Sequence, residues 1–205
     1  MIKGVAFDMD GVLIDARDWH YQALNEALEL FGYTIPYPEH LATFDGLPTK
    51  VKLEILSETQ ALPRHLHPLI NEIKQERTLR LAAAQCYPRP NHLSIMNYIK
   101  KLDLPIVLAT NSIRETTLSM MTHAGLVTFF THILTNQDVT ISKPDPQIYL
   151  LAAKKLNIDP SELLVFEDNP NGIKAATSAG CQVIVVENPD SLHLDSVIQA
   201  LKETS

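Results

Sequence analysis

The sequence predicts an α/β fold, a parallel sheet flanked by helices, with an all-helical segment inserted after the first strand. Three observations predict it. Short apolar runs of strand length recur along the chain and, from about Gln85 onward, alternate with helical patterns, the signature of βαβ units. Residues 16–84 carry helical periodicity and no strand signal. Acids, hydroxyls and a lysine gather where the strand runs stop, which in an open parallel sheet is where ligands bind.

The first run, Ile2 to Phe7, reads as a buried strand that ends in Asp8-Met9-Asp10-Gly11. Period-two geometry points Asp8 and Asp10 to the same side where the strand runs out, and Gly11 lets the chain turn away sharply. Two carboxylates aimed at one point do not ionise cheaply unless a cation sits between them or one keeps its proton. The pair therefore suggests a divalent metal and a proton shuttle. Taken singly, an Asp-x-Asp at a strand end is more often an ordinary turn, so the later segments must supply the context.

After Asp15 the pattern turns helical. Trp19, Ala23, Leu24, Ala27, Leu28 and Phe31 line one face of a helix that Gly32 helps to stop. Two further helical stretches, about Leu47 to Thr59 and about Arg64 to Ala84, are separated by the Pro63 step. The expected division is thus 1–15 and 85–205 for the sheet-bearing part and 16–84 for the helical insert.

In the remainder, strands are expected at Leu104 to Ala109, His132 to Thr135, Leu163 to Phe166 and Gln182 to Val186, with a last amphipathic helix over Leu192 to Leu201. The second strand ends in Thr110-Asn111-Ser112 before a helix from about Ile113 to Ala124. Hydroxyls and free N–H groups there make a phosphate cradle, or else they simply cap the helix. Ser142-Lys143-Pro144-Asp145-Pro146 is a loop stiffened by its prolines that fixes one positive charge. Glu167-Asp168-Asn169-Pro170 brings two more acids to a strand end, where an acidic helix cap is the competing explanation. Four such coincidences in one open sheet are poorly explained by caps and turns alone.

Composition narrows the class further. A chain of 205 residues with 45% hydrophobic content can bury one good core and a smaller satellite. A net charge of −7 with no Lys/Arg-rich stripe argues against nucleic acid as a partner, yet one focused positive site can still bind a small anion. Cys86 and Cys181 fit no metal-ligand or redox spacing and read as small buried side chains, in keeping with a reducing cytosol. The apolar start is broken by Asp8 within one strand length, and no run reaches membrane-spanning length. A cytoplasmic monomer with no membrane partner is expected.

In order and spacing, the segments at Asp8-Met9-Asp10-Gly11, Thr110-Asn111-Ser112, Lys143-Pro144 and Glu167-Asp168 resemble the four motifs of the haloacid dehalogenase-like (HAD) phosphohydrolase superfamily. The resemblance covers nearly the whole chain. It is closer to the subgroup with a helical cap inserted after the first motif, which includes β-phosphoglucomutase, phosphoglycolate phosphatase and many sugar-phosphate phosphatases. It implies a Rossmann-like core, a helical lid, Mg2+ as cofactor and a small phosphorylated metabolite as substrate. Asp8 is then the nucleophile that forms an aspartyl phosphate, and Asp10 the general acid and base. Mg2+ would take the Asp8 carboxylate, the Asp10 backbone carbonyl and Asp168, with Glu167 a direct or water-bridged ligand. Thr110, the Asn111 N–H and Lys143 would hold the phosphoryl oxygens.

The same resemblance implies that specificity lies in the insert. In the resembling group a loop matching Asp45-Gly46-Leu47-Pro48-Thr49-Lys50 reaches down towards the catalytic centre, and His20 matches a position near the site in the mutase, with a surface or packing histidine on the first helix of the insert as the competing reading. Thr49 stands where the sugar-phosphate mutases have an Arg able to grip a second phosphate bidentately, and the adjacent Lys50 is no equivalent fork. That departure favours a phosphatase over a mutase. Lys74, like Lys50, would more often be a solvated helical lysine than a substrate contact. A reading of another class, a non-catalytic binding or regulatory protein, is opposed by the complete set Asp8, Asp10, Thr110, Lys143 and Asp168.

Overall fold

The computed structural model describes residues 1–203. The chain divides into two compact units, one made of Met1–Asp15 with the chain from Cys86 onward, the other of Ala16–Gln85.

Strand β1 (Gly4–Phe7) opens the sheet unit. The helical unit then contains α1 (Arg17–Glu29), a short α2 (Tyr37–Glu39) that runs into a π-helical turn over His40–Phe44, α3 (Thr49–Thr59), and α4 (His67–Gln85) after a 3-10 turn at Arg64–Leu66. Ala23, Leu24, Ala27 and Leu28 of the expected α1 face are buried, while Trp19 and Phe31 at its ends are half-buried. Leu24 and Leu28 share a core with Phe44, Leu53, Leu56 and Ile70. Helix α3 starts later than the periodicity suggests because Pro48 takes the N-cap position with an extended backbone.

Several polar side chains are buried in this unit, Asn25 and His40 among them. Asn25 is buried on α1, where its Oδ1 accepts from the Ile35 N–H at 2.8 Å and the Thr34 hydroxyl at 3.1 Å, and its Nδ2 donates to the Ile35 carbonyl at 3.3 Å. The amide thereby satisfies backbone groups of a segment that belongs to no helix. His40 is 1% exposed, with its ring 5.0 Å from Tyr21 and 6.4 Å from Tyr37.

The sheet unit continues with α5 (Pro90–Lys101), β2 (Ile106–Ala109), α6 (Arg114–His123), β3 (His132–Leu134), α7 (Gln147–Leu156), β4 (Leu163–Glu167), α8 (Pro170–Ala179), β5 (Gln182–Val185) and α9 (Leu194–Glu203). Its strands are parallel in the order β3-β2-β1-β4-β5, with Phe7 opposite Leu108 on one side and Phe166 on the other. Every residue of β1 is buried, as befits a central strand covered on both faces. One face, including Ala6, Val107 and Val165, packs with Tyr149 and Ala152 of α7 and Ala175 of α8.

Strand ends differ from expectation for local reasons. β2 begins only after Pro105, which has no N–H for the ladder although its carbonyl accepts from Val5 at 3.0 Å. β4 runs one residue further, because Glu167 pairs with Val185. The chain steps from β1 out to β2 and β3, then returns to the other side of β1 for β4 and β5. Such a reversal opens a crevice beyond the carboxyl ends of the strands on either side.

Cys86 and Cys181 are half-buried and free, and burial pushes their thiols up to about 11 and about 12. Among the described residues, no helix is long and apolar enough to cross a membrane.

Two stability predictions follow from the helical unit. Asn25→Leu strands the Ile35 N–H and carbonyl, and it should destabilise by about 1–3 kcal/mol in denaturant titrations; an unchanged midpoint would mean water replaces the amide. Burial, with Lys52 nearby, pushes the His40 imidazole down to about 4 against the pull of Asp45, whereas an unfolded histidine titrates near ~6.5. Between those values the unfolded chain binds the extra proton, so stability rises with pH across that window and is lost as pH falls through it. Denaturant unfolding should therefore show lower stability at about pH 5 than at about pH 7, with a smaller difference in His40→Phe. His92, also pushed down by burial, contributes with the same sign in both proteins. Identical pH dependence in the two would exclude His40 as a source.

Candidate active site

The site begins where β1 stops. The Phe7 ring stacks on Phe166 of β4 at 4.9 Å, and the Asp8 N–H donates to the Phe166 carbonyl at 3.0 Å, which fixes Asp8 between the two strand ends. The chain then folds back on itself, with the N–H groups of Leu13 and Ile14 both donating to the Met9 carbonyl. Gly11 is required here for two reasons. Its φ of +88° is left-handed, and a Cβ at this position would fall 2.0 Å from Asp168 Oδ2. Thus the first loop accommodates the carboxylate that ends the fourth strand.

Neither helix start takes an acid or a hydroxyl as its N-cap. Helix α6 has Ile113 at its N-cap and no side-chain cap. The Thr110 hydroxyl, 1% exposed, accepts from the Ser112 N–H at 3.1 Å, and the Ser112 hydroxyl donates to Asp10 Oδ2 at 2.8 Å. Helix α8 is capped by Asn169, whose Oδ1 accepts from the Asn171 N–H at 2.9 Å, with Pro170 in the first turn. Glu167 and Asp168 are therefore left for other work.

That work centres on Lys143. Asn111 clamps its backbone, accepting from the Lys143 N–H at 3.0 Å and donating to its carbonyl at 3.3 Å; the Lys143–Pro144 peptide is cis. The ammonium, 4% exposed, donates to Asp8 Oδ1 at 2.7 Å, the Ala109 carbonyl at 2.8 Å and Glu167 Oε1 at 2.5 Å. All three of its hydrogens thus have protein acceptors, so contact with a phosphoryl oxygen requires it to share one of them. Burial works against the Lys143 charge, but Asp8 and Glu167 outweigh it and raise the pKa of the ammonium. Asp8 is pushed well above the usual carboxylate range, first by burial and then by Glu167, Asp10 and Asp168, with Lys143 pulling the other way.

One ammonium cannot balance the acids around it. Oxygens of Asp8, Glu167 and Asp168 lie within 4.8 Å of one another. Glu167 is 1% exposed, yet its Oε2 accepts no hydrogen bond. A buried carboxylate oxygen without a donor beside two further acids fits a hard divalent cation such as Mg2+, which takes oxygen ligands and would bring Asp8 back towards ionisation.

Three contributors were not singled out by sequence reasoning. Ser112 bonds Asp10; it lay within a noted segment but had no assigned role. Tyr149 on α7 is fully buried and donates to Glu167 Oε1 at 2.5 Å, and burial with the nearby Glu167 and Asp8 raises its pKa well above 10, which keeps the hydroxyl a donor. Gly172 on α8 leaves space for Glu167, since a Cβ there would lie 1.9 Å from Oε1. Its place inside a helix was the available signal, because an interior glycine needs a packing reason.

The expected insert residues sit in the helical unit as follows. His20 is half-buried on α1, and Lys74 Nζ lies 3.2 Å from its Nδ1. Lys74 is 8% exposed, which corrects the expectation of a solvated helical lysine. Gly46 adopts φ +71° just before α3, Thr49 opens that helix half-buried, and Lys50 is exposed. Lys52, on the same helix, is buried and was not anticipated.

Comparison with known proteins bears on this geometry. A family model described as haloacid dehalogenase-like hydrolase matches residues 5–186. A phosphorylated carbohydrates phosphatase of Thermotoga maritima is 30% identical over 184 residues, covering 89% of this chain and 84% of the relative. The structure of CbbY from Rhodobacter sphaeroides in complex with xylulose-(1,5)bisphosphate is 26% identical with a TM-score of 0.81, covering 90% of this chain and 86% of that one. A β-phosphoglucomutase from Clostridium difficile, 22% identical, shares the fold with a TM-score of 0.84 over 99% of this chain and 98% of that one.

Gly172 gives a test with a definite sign. At an unencumbered helix position Gly→Ala stabilises by about 0.5–1 kcal/mol. Here the added methyl meets the Glu167 carboxylate, so Gly172→Ala should instead destabilise by about 1–3 kcal/mol in chemical denaturation. A stabilised variant would mean that Glu167 moves aside freely.

Proposed function

The chain belongs to the haloacid dehalogenase-like hydrolases, and on that premise we propose that it is a Mg2+-dependent phosphatase that removes phosphate from a small phosphorylated metabolite through an aspartyl phosphate. The observation that carries this reading is the meeting of Asp8, Glu167, Asp168 and Lys143 at the carboxyl ends of β1 and β4, with Asp10 held by Ser112 beside them. The substrate class follows the named activity of the Thermotoga maritima relative.

The chemistry follows from what each group can do. An Asp8 oxygen attacks phosphorus; the bond to the ester oxygen breaks, and Asp10 gives its proton to the departing alkoxide. Asp10, now ionised, takes a proton from water, whose oxygen attacks the same phosphorus and frees the Asp8 carboxylate and inorganic phosphate. The Ser112 hydroxyl, which donates to Asp10 Oδ2, keeps that carboxyl aimed through both steps. Lys143 orients Asp8 and offsets negative charge as it spreads over the phosphoryl oxygens. Bound Mg2+ would be held by Asp8 and Asp168 with Glu167, and it would supply the positive charge that lets a phosphate dianion approach these acids.

The helical unit is read as the part that selects the leaving group, through His20, the Gly46 loop and α3. Thr49, where the sugar-phosphate mutases carry an Arg, favours release of phosphate over its return to a second hydroxyl.

The test is release of inorganic phosphate from a panel of sugar, polyol and nucleoside monophosphates. Release should require Mg2+, disappear with chelator and be abolished in Asp8→Asn, whereas Asp10→Asn should lower kcat by about 10²–10⁴-fold. Isomerised sugar phosphate in place of free phosphate would identify a mutase. Binding of phosphorylated ligands without turnover by folded protein would identify a sensor and overturn the reading.

A further inference from the structure

Glu167 is held through one oxygen only. Its Oε1 accepts from both the Lys143 ammonium and the Tyr149 hydroxyl, each at 2.5 Å, while Oε2 accepts nothing even though the side chain is 1% exposed. The two donors are unequal. Lys143 sits on a flexible stem and already serves Asp8 and the Ala109 carbonyl, so it must loosen from one acceptor when it meets a phosphoryl oxygen. Tyr149 is rigid, 0% exposed and packed on α7 against Ala6, Val107 and Val165, and its hydroxyl donates to no acceptor besides Glu167 among the bonds of this site. The Lys143 ammonium also lies 4.9 Å from the centre of the Tyr149 ring, so the same side chain flanks both charges.

We propose that Tyr149 is a positioning residue for the divalent cation: its hydroxyl fixes the Glu167 carboxylate by Oε1, so that Oε2 stays turned to the oxygens of Asp8 and Asp168 as one donor set. A tyrosine with no accessible surface cannot touch substrate or solvent, so its hydroxyl acts through Glu167, the group it donates to. Outer partners that orient ligating groups are commonly worth about 10–100-fold in metal affinity. Gly172 completes the seat, since the carboxylate has room only because that position lacks a Cβ.

The inference rests on the metal-dependent reading above, and Mn2+ binding to the full chain without substrate separates the two. Wild-type protein should bind Mn2+, followed by electron paramagnetic resonance of the free ion. Tyr149→Phe, with its fold checked by circular dichroism, should bind about 10-fold more weakly or worse. In a Glu167→Ala background, adding Tyr149→Phe should change the affinity no further. In turnover, the variant should need more Mg2+ than wild type for half-maximal rate. Tyr149→Met, a flexible apolar side chain that is smaller than Tyr and likewise lacks the donor, carries the same expectation for Mn2+ affinity where Phe does not fold. Unchanged Mn2+ affinity in the variant, or an equal loss with and without Glu167, overturns the inference alone. No Mn2+ binding by wild-type protein overturns it together with the metal-dependent reading.

Discussion

The Lys143 ammonium bonds Asp8, Glu167 and the Ala109 carbonyl at once, in a place where burial opposes every charge involved. These acceptors stand at the ends of three neighbouring strands, so the bonds form only when β2, β1 and β4 lie in register. Were one strand to slip by a residue, its acid would turn to the other face and leave a buried charge without a partner. The sheet and the charge cluster therefore specify each other.

Local structure around the cluster avoids competing for its side chains. Asn169 caps α8, so that neither Glu167 nor Asp168 serves as its N-cap, while α6 starts with Ile113 at its cap and leaves Thr110 and Ser112 to the strand end. Gly11 and Gly172 supply the room, one beside Asp168 and the other beside Glu167. Both carboxylates are thus seated by the absence of a methyl group as much as by the presence of donors. This agreement between caps, turns and charges is what lets a cluster costly to bury persist at one geometry.

Much of this was legible in the chain. Runs of apolar residues marked the strands, and the order of acids, hydroxyls, lysine and acids at their ends marked residues that meet in the candidate site, because parallel sheets place strand ends together. The Ala23, Leu24, Ala27 and Leu28 stripe gave α1 its buried face. Tyr149 was hidden because it lies in the apolar stripe of α7, with Ile148, Ala152 and Ala153, and a core tyrosine announces no partner for its hydroxyl. The burial of Lys52 and Lys74 was not legible for a related reason: helical periodicity shows which residues share a face, and says nothing about what covers a long charged stem. The π-helical turn at His40–Phe44 is too short to leave a period at all.

The chain leaves the sheet after β1 and returns to it at β2, where Val5 lies beside Ile106, so forming that pair closes a very long loop. The entropy of such closure grows only with the logarithm of loop length, about 0.6 kcal/mol for each doubling. Lengthening or shortening the segment between Ala16 and Gln85 therefore changes the stability of the sheet very little. It also leaves the register of β1 against β2 and β4 untouched. A fold with that property can exchange its inserted segment while the strand ends stay fixed, so variation can accumulate in the helical unit independently of the strands that carry the acids.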